Sequence, residues 1–253
     1  MEKLSIIIPT YNEERHIQRT IKKILIFLNR SAINFEIIIS DDGSSDRTAN
    51  LVKEFQPSHS NVIILENRHF GKAATINFAL SRAEGELCLL MDADSATEIS
   101  ELPKVLRSLK EKNADIAIAS REGLTARRSD EPRYRHFLGR VFNKLVKIIV
   151  GLRFEDTQCG FKLFKTDVLR ALAAASFIMN KKNLNLNYPL VTAFDVELLT
   201  LAQFHGHQVI EVPINWTFHP TKNINPMRDS IGMFVDLLTI KKNLLLGLYQ
   251  TKG

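Results

Sequence analysis

The sequence predicts an α/β fold built on a mostly parallel central sheet with helices on both faces. Strand-like apolar runs alternate with helix-like segments through the first half of the 253-residue chain, a pattern typical of βαβ units. The apolar runs are short and nearly uninterrupted, as in strands that are buried on both faces. A polar cluster follows most of these strands, and ligands of such sheets bind outside the carboxyl ends of the strands. We therefore predict a functional site at this edge of the sheet.

The predicted elements follow the chain in order. In the first half, strands are expected over 4–9, 35–42, 61–67, 85–94 and 114–121. The helices between them are expected over 13–29, after "SSDRT", over 71–83 and near 98–112. In the second half we expect helices over 135–150, 166–175 and 228–249, a helical "AFDVELLTLAQFHG", a strand "QVIEVPINW", a loop "FEDTQCGFKLF" and an exposed loop over 180–188. We divide the chain into a main domain, 1–225, and a C-terminal amphipathic helical segment, 226–253.

Composition narrows the class of protein. The chain is 45% hydrophobic and 25% charged, which suits one large globular α/β domain. Two cysteines are too few for a disulfide framework, so we expect a cytoplasmic protein. We expect no signal peptide, because the chain enters a strand at once. No apolar run reaches the ~18 residues that a membrane span needs.

Positive charge is concentrated in one segment. Residues 121–147 contain eight Lys/Arg and three Asp/Glu, which accounts for most of the net charge of +6. A solvated helix face is one interpretation. The other is a site for an acidic partner, either a phosphate or an anionic membrane surface. Nucleic acid is not expected, since no recognised binding motif or set of interleaved aromatics accompanies the charge.

Two carboxylates follow the apolar run 87–91. Asp92 and Asp94 stand one residue apart in "MDADSAT", where each desolvated charge is costly unless something neutralises it. One interpretation is helix capping by Asp92, Asp94 or Ser95. The other is a site for Mg²⁺ or Mn²⁺, which bind through one or two carboxylates together with substrate phosphates.

A second acidic loop, "SDDGSSDRT", follows the second strand. Some of its residues are turn formers, but the adjacent Asp41 and Asp42 exceed what one turn requires, so a base or ribose is a plausible partner. The sequence contains neither a Gly-x-Gly-x-x-Gly nor a Gly-x-x-x-x-Gly-Lys-Ser/Thr string. A dinucleotide fold and a P-loop are therefore disfavoured.

The order and spacing of "IIIPTYNEE", "SDDGSSDRT" and "MDADSAT" resemble those of family 2 glycosyltransferases with the GT-A fold. Further along, "DTQCGFKLF", "AFDVELL" and "EVPINWT" resemble the polyprenyl-phosphate branch of that family, the dolichyl-phosphate β-glucosyltransferases and dolichyl-phosphate mannose synthases. The similarity covers about residues 3–245.

The resemblance implies roles for particular residues. Those implied for the nucleotide-sugar are Pro9, Tyr11, Glu13, Asp42 at the base, Lys72 and Asp92. Asp92 and Asp94 would hold a divalent metal on the donor diphosphate. The residues implied for the acceptor phosphate are Arg121, Arg135 and Lys222, and the expected catalytic set is Asp92, Asp94, Arg121 and Arg135. Two positions depart from the mannose synthases: Ala96 stands where they have Gln, which favours the glucosyl branch, and Gly139 stands where they often have Ser.

The implied reaction is inverting transfer of a hexose, preferentially glucose, from a nucleotide-sugar to a polyprenyl phosphate such as dolichyl or undecaprenyl phosphate. A phosphate monoester has a second pKa near 6 and attacks without a strong base. Alternatives are mannosyl transfer from GDP-mannose instead of glucosyl transfer from UDP-glucose, transfer to a polysaccharide hydroxyl, and a non-catalytic nucleotide-sugar-binding scaffold. We expect peripheral attachment at the cytoplasmic face of a membrane, directly or through a membrane-anchored partner. Asp156, Asp195 and Glu197 are left open between structural roles and a place in the site, the last two near the donor sugar.

Overall fold

The computed structural model describes residues 2–181, 192–219 and 226–250. The strands are β1 (Lys3–Thr10), β2 (Asn34–Asp41), β3 (Val62–Glu66), β4 (Leu87–Leu90), β5 (Ile116–Ser120), β6 (Arg127–Ser129), β7 (Lys162–Lys165), β8 (Val209–Pro213) and β9 (Asn215–Thr217). The helices are α1 (Ile17–Leu28), α2 (Thr48–Lys53), α3 (Lys72–Leu80), α4 (Leu102–Glu111), α5 (Arg133–Val150), α6 (Thr166–Ala175), α7 (Phe177–Asn180), α8 (Phe194–Phe204) and α9 (Pro226–Leu245). A short 3₁₀ turn, Ile99–Glu101, precedes α4.

Seven strands form the central sheet in the order β3-β2-β1-β4-β7-β5-β8. Neighbouring strands run parallel except for β7, which is antiparallel to both β4 and β5. The mostly parallel sheet expected from the sequence is therefore confirmed. A separate two-stranded parallel ribbon joins β6 to β9.

The sheet is covered on both faces because side chains alternate along each strand. In β1, Ile6 and Ile8 join the apolar cluster formed with α1, α2 and α4, whereas Ile7 joins the opposite cluster. The opposite cluster includes side chains of α3, α5, α6, α8 and α9. Five of the seven strands come from the first half of the chain, and their carboxyl ends present the loops at one edge of the sheet.

The second half differs from the prediction in two places. The expected loop "FEDTQCGFKLF" contains β7, which inserts between β4 and β5 in the central sheet. The expected strand "QVIEVPINW" divides into β8 and β9, which belong to different sheets. Most of the loop expected over 180–188 lies outside the described residues.

Helices α5 and α9 pack against each other. From α9, Leu237 and Ile240 enter the core, and from α5, Val146 and Val150 do so. Among the residues that the structure describes, no helix is long and apolar enough to cross a membrane.

Candidate active site

The acidic pair lies where the sequence predicts, just beyond the carboxyl end of β4. Strand β4 is the middle strand of the sheet and lies beside β1. Asp92 and Asp94 therefore lie at the same edge as the loops that follow the other parallel strands. The helical segment begins only at Ile99, after Glu98. The capping interpretation of Asp92, Asp94 or Ser95 is therefore wrong. Asp94 Oδ1 accepts a hydrogen bond from the Ala96 backbone N–H at 2.9 Å, which holds its own loop.

Lys72 is the direct partner of the first aspartate. It lies at the start of α3, and its Nζ donates to Asp92 Oδ1 at 2.6 Å. Burial alone would lower the pKa of Lys72, but the charges of Asp92 and Asp195 raise it above its ordinary value. Lys72 therefore remains a cation beside the acidic pair, where it can also neutralise a bound phosphate.

Asp94 is less well compensated than Asp92. Burial raises the pKa of Asp94, and the neighbouring charge of Asp92 raises it further. For Asp92, burial would raise the pKa, but Lys72 and the more distant Lys162 and Arg121 lower it. The protein alone therefore disfavours the charged form of Asp94, and a bound cation would favour it.

Gly160 makes room for Asp92, a role that the sequence reasoning missed. A Cβ added at Gly160 would lie 1.8 Å from Asp92 Oδ2, far inside contact distance. The close approach arises because β7 pairs with β4 and brings the residues before Lys162 alongside Asp92. The glycine itself is visible in the sequence, in "QCGFK". Its contact with Asp92 is long-range and cannot be predicted from local spacing.

The loops after β1 and β2 interlock. Asn12 adopts a left-handed backbone conformation, with φ of 57°, and its Oδ1 accepts hydrogen bonds from the backbone N–H groups of Ser45 and Asp46. The Glu13 backbone N–H donates to Thr48 Oγ1 at 2.8 Å. Burial raises the pKa of the Glu13 carboxyl, with smaller contributions from Asp94 and Asp92. Glu13 therefore lies within electrostatic range of the acidic pair.

Asp42 anchors the loop that precedes α3. Its two oxygens accept from the Phe70 and Gly71 backbone N–H groups and the Thr75 hydroxyl, and they also contact His69 Nδ1. The His69 ring stacks on Tyr11 with centroids 4.1 Å apart and planes 5° apart. Pro9 borders a small pocket beside Asp92. The base-contacting role implied for Asp42 remains a prediction, and its carboxylate is already engaged within the protein.

Arg121 is fixed at the other side of the site. Asp156 binds its guanidinium with two hydrogen bonds, of 2.7 and 2.8 Å, and the Trp216 ring lies 5.2 Å from the guanidinium carbon. Such a planar, two-pronged contact orients the guanidinium. Asp156 therefore has a structural role beside the site, which sequence reasoning left open.

Arg135 lies in the first turns of α5, with its guanidinium carbon 4.8 Å from the Phe218 ring centroid. Within the described residues it has no carboxylate partner, in contrast to Arg128, which is paired with Glu122 and Glu131. An arginine without an internal anion is suited to binding an external one. Lys222, the third residue implied for the acceptor phosphate, lies outside the described residues.

One cavity of about 900 Å³ connects these groups. It extends from Lys72 and the acidic pair past Arg121 and Arg135, then along the apolar and basic side chains of α5 to the start of α9. The structure therefore brings together Lys72, Asp92, Asp94, Arg121 and Arg135, but not Tyr11, Glu13 and Asp42, which lie at the adjoining loops and do not line this cavity.

Comparison with known proteins defines the class. The family model "Glycosyl transferase family 2" matches residues 5–173, and this chain belongs to that family. Solved structures with the same fold include mannosyl-3-phosphoglycerate synthase from Rubrobacter xylanophilus, at 17% identity and a TM-score of 0.68 over 100% of this chain and 77% of that one. Another is glucosyl-3-phosphoglycerate synthase from Mycobacterium tuberculosis in complex with Mn²⁺, UDP-glucose and phosphoglyceric acid, at 15% identity and a TM-score of 0.64 over 95% of this chain and 80% of that one.

Relatives with higher sequence identity indicate a particular branch of the family. Dolichyl-phosphate beta-glucosyltransferase from Dictyostelium discoideum is 33% identical over 99% of this chain and 77% of its own length. The human dolichyl-phosphate beta-glucosyltransferase is 30% identical over 98% of this chain and 78% of its own length. These findings confirm three expectations from the motifs: the GT-A fold, the glycosyltransferase class and the resemblance to the polyprenyl-phosphate branch.

Proposed function

We propose that this protein transfers glucose, with inversion, from UDP-glucose to the phosphate of a polyprenyl phosphate. The observation that supports this most strongly is the cavity that joins an acidic pair and a lysine at one end to two arginines and an apolar helix face at the other. The first end suits a nucleoside diphosphate with a cation, and the second suits a phosphate attached to a lipid. Relatives named as dolichyl-phosphate beta-glucosyltransferases support the same donor sugar and acceptor class.

The residues of the acidic pair fit a divalent cation. Burial and the charge of Asp92 raise the pKa of Asp94, so a cation would favour its charged form. Gly160 provides the space in which the Asp92 carboxylate lies. In the described part of the chain, no group of three or more His, Cys, Asp or Glu side chains is arranged to hold a metal. That suits Mg²⁺ or Mn²⁺ shared with substrate phosphates better than a cation held by the protein alone. When bound, such an ion would stabilise negative charge on the departing diphosphate.

The chain's own residues supply binding and orientation. Lys72 contributes a positive charge beside Asp92, where the donor phosphates would lie. Arg121 and Arg135 orient the acceptor phosphate, and we assign Lys222 to the same group. The phosphate is already largely anionic at neutral pH because its second pKa is about 6. No side chain therefore has to remove a proton from the nucleophile, and catalysis relies on positioning and electrostatic stabilisation.

The surface formed by α5 and α9 suits a membrane, where the lipid acceptor resides. Large apolar side chains exposed on it include Phe137, Leu138, Ile148, Val235 and Leu238. Exposed cationic side chains on the same two helices are Arg133, Arg140, Lys144 and Lys242. This combination is characteristic of helices that lie in a membrane interface. We assign peripheral attachment at the cytoplasmic face to this surface, to which the helix of the C-terminal segment, α9, contributes.

A donor and acceptor panel tests the proposal. Purified protein is given labelled UDP-glucose or GDP-mannose, each with Mn²⁺ or Mg²⁺, and a short polyprenyl phosphate or the corresponding polyprenol. We expect labelled lipid only from UDP-glucose with the phosphate. Product from GDP-mannose would reassign the donor, product from the polyprenol would reassign the acceptor, and no product from any combination would contradict the proposal.

A further inference from the structure

Two acidic residues of α8 have different environments. Glu197 is fully buried, and its carboxylate accepts hydrogen bonds from the Tyr249 hydroxyl, the backbone N–H groups of Phe177 and Ile178, and the Ser176 hydroxyl. These contacts tie α7 and the turn after α9 to α8. Glu197 is therefore a structural carboxylate with no access to a substrate.

Asp195 instead faces the active site. Its side chain is 16% exposed, and it borders both the large cavity and a smaller pocket lined by Pro9, Lys72, Asp92 and Gly160. Oδ1 accepts a hydrogen bond from Lys162 Nζ at 2.6 Å. Within the described residues, Oδ2 has no hydrogen-bond donor. One oxygen of this carboxylate is thus held by the protein, and the other is available at the wall of the site.

Lys162 is the hydrogen-bond partner that orients Asp195. It lies on β7, paired with Leu90 of β4, and its side chain is only 2% exposed. Its Nζ contacts the Asp195 carboxylate and the Cys159 carbonyl. A buried ammonium is costly unless it is paired and hydrogen-bonded, and the contact with Lys162 in turn fixes the orientation of the Asp195 carboxylate.

The Asp195–Lys162 pair lies where the hexose of a nucleotide-sugar donor would be expected. Lys72 bonds Asp92 directly, and it lies within electrostatic range of Asp195. Asp92, Lys72 and Asp195 therefore surround a single small space. In a nucleotide-sugar the hexose is attached directly to the second phosphate. A diphosphate held at Lys72 and the acidic pair would place its hexose within a few ångström of these groups.

We propose that Asp195, oriented by Lys162, binds hydroxyl groups of the donor hexose, with Oδ2 accepting their O–H hydrogen bonds. This inference rests on the proposed function and specifies which residues hold the sugar rather than the nucleotide. A carboxylate suits this task because it offers acceptor oxygens to hydroxyl groups, and its hydrogen bonds are stronger than those of a neutral acceptor. The Oδ1–Lys162 contact keeps the acceptor in place before the substrate arrives.

A comparison of UDP with UDP-glucose distinguishes a contact to the sugar from a contact to the nucleotide, because only UDP-glucose carries the hexose. The dissociation constants of UDP and UDP-glucose are measured by calorimetry with Mn²⁺ for the wild-type protein and for Asp195→Asn. We expect UDP-glucose to bind Asp195→Asn at least about tenfold more weakly and UDP to bind it unchanged. Glu197→Gln, two residues away on the same helix, is the matched control. It should lower the melting temperature through its lost contacts and leave the ratio of the two dissociation constants unchanged.

A second variant guards against loss of folding. Asp195→Asn combined with Lys162→Met removes both charges, so neither is left buried and unpaired. It should show the same selective loss of UDP-glucose binding. Equal weakening of UDP and UDP-glucose, or no weakening of either, would overturn the role of Asp195. A wild-type protein that binds UDP-glucose but transfers nothing to lipid phosphate would contradict the proposed function alone, and one that binds neither nucleotide would contradict both.

Discussion

Asp156 and Arg121 form an ion pair at the wall of the cavity. Arg121 Nε and Nη2 donate to the two carboxylate oxygens at 2.7 and 2.8 Å, and the Arg121 backbone N–H donates to Oδ2 at 2.9 Å. Burial would raise the pKa of Asp156, but Arg121 lowers it to about 2. The same carboxylate raises the pKa of Arg121, against the effect of burial. The pair therefore remains ionised at neutral pH, and the guanidinium is held in one orientation.

This pair predicts an acid-sensitive component of stability. Because the folded pKa of Asp156 is below its unfolded value of about 3.9, the stabilisation is complete above about pH 4 and is lost as pH falls towards 2. The difference in pKa corresponds to roughly 2–3 kcal/mol in the free energy of unfolding. Urea unfolding of the wild type between pH 6 and pH 2 should show this loss. Asp156→Asn should be less stable at pH 6 and should show a shallower decline below pH 4.

The matched control for Asp156 is Asp167→Asn. Its side chain is almost fully exposed and lies 3.4 Å from Arg170, so the pH dependence should equal that of the wild type. A decline below pH 4 that is as steep in Asp156→Asn as in the wild type would contradict the role given to the ion pair.

Arg135 should act on the acceptor and not on the donor. On the proposed assignment, replacing it with Ala removes a charged contact to the lipid phosphate, which corresponds to a roughly tenfold to hundredfold loss of affinity for the acceptor. We expect KM for a short polyprenyl phosphate to rise by that factor while KM for UDP-glucose stays near the wild-type value. Arg133→Ala is the control, since Arg133 is exposed on the same helix but does not line the cavity. If KM for UDP-glucose rises as much as KM for the acceptor, Arg135 is wrongly assigned.

Gly160→Ala should damage the site without disrupting the fold. The added Cβ would overlap Asp92 Oδ2, so the carboxylate must turn away from its position beside Lys72. We expect the melting temperature to change little and kcat/KM to fall by at least about tenfold, because the residues proposed to bind the donor phosphates lose their arrangement. Gly232→Ala, where a Cβ meets nothing within 4 Å, should retain full activity and be stabilised by its better helix propensity. Wild-type activity in Gly160→Ala would show that the Asp92 position is not critical.

The surface of α5 and α9 should bind anionic membranes. Phe137 and Ile148 are each about two-thirds exposed on α5, and each Lys or Arg near an anionic surface contributes about 1 kcal/mol. We expect the protein to sediment with anionic liposomes at low salt and to be released as salt increases. Phe137→Glu should weaken this binding, whereas Ile26→Glu, which changes an exposed residue of α1 on the other face, should not. A protein that stays in the supernatant at low salt would contradict direct attachment and leave a membrane-anchored partner as the route.

The first half of the fold could be predicted from sequence because its signals are local. Each βαβ unit repeats a short apolar run and an amphipathic helix, so the strand ends and the positions of Asp42 and Asp92 follow from order alone. Strand β7 could not be predicted in this way. It is four residues long and antiparallel, and its neighbours in the sheet are more than forty residues away in sequence.

The parts of the site that sequence reasoning missed depend on β7. Gly160 lies against Asp92, and Lys162 reaches Asp195, only because this strand inserts between β4 and β5. Glu197 is buried and Asp195 borders the site because different elements pack against the two faces of α8. The hydrophobic periodicity of the helix does not specify those elements. Charge type and motif order located the acidic pair and the arginines, whereas tertiary contacts decided which side chains support them.

The most direct test of the account is the initial rate of glucose transfer from UDP-glucose to a short polyprenyl phosphate, measured with Mn²⁺, with EDTA, and with Asp94→Ala. We expect transfer by the wild type with Mn²⁺, and none with EDTA or in the variant. Asp94→Ala should still fold, because removing one of two adjacent carboxylates relieves repulsion. Undiminished transfer with EDTA or by Asp94→Ala would contradict the account.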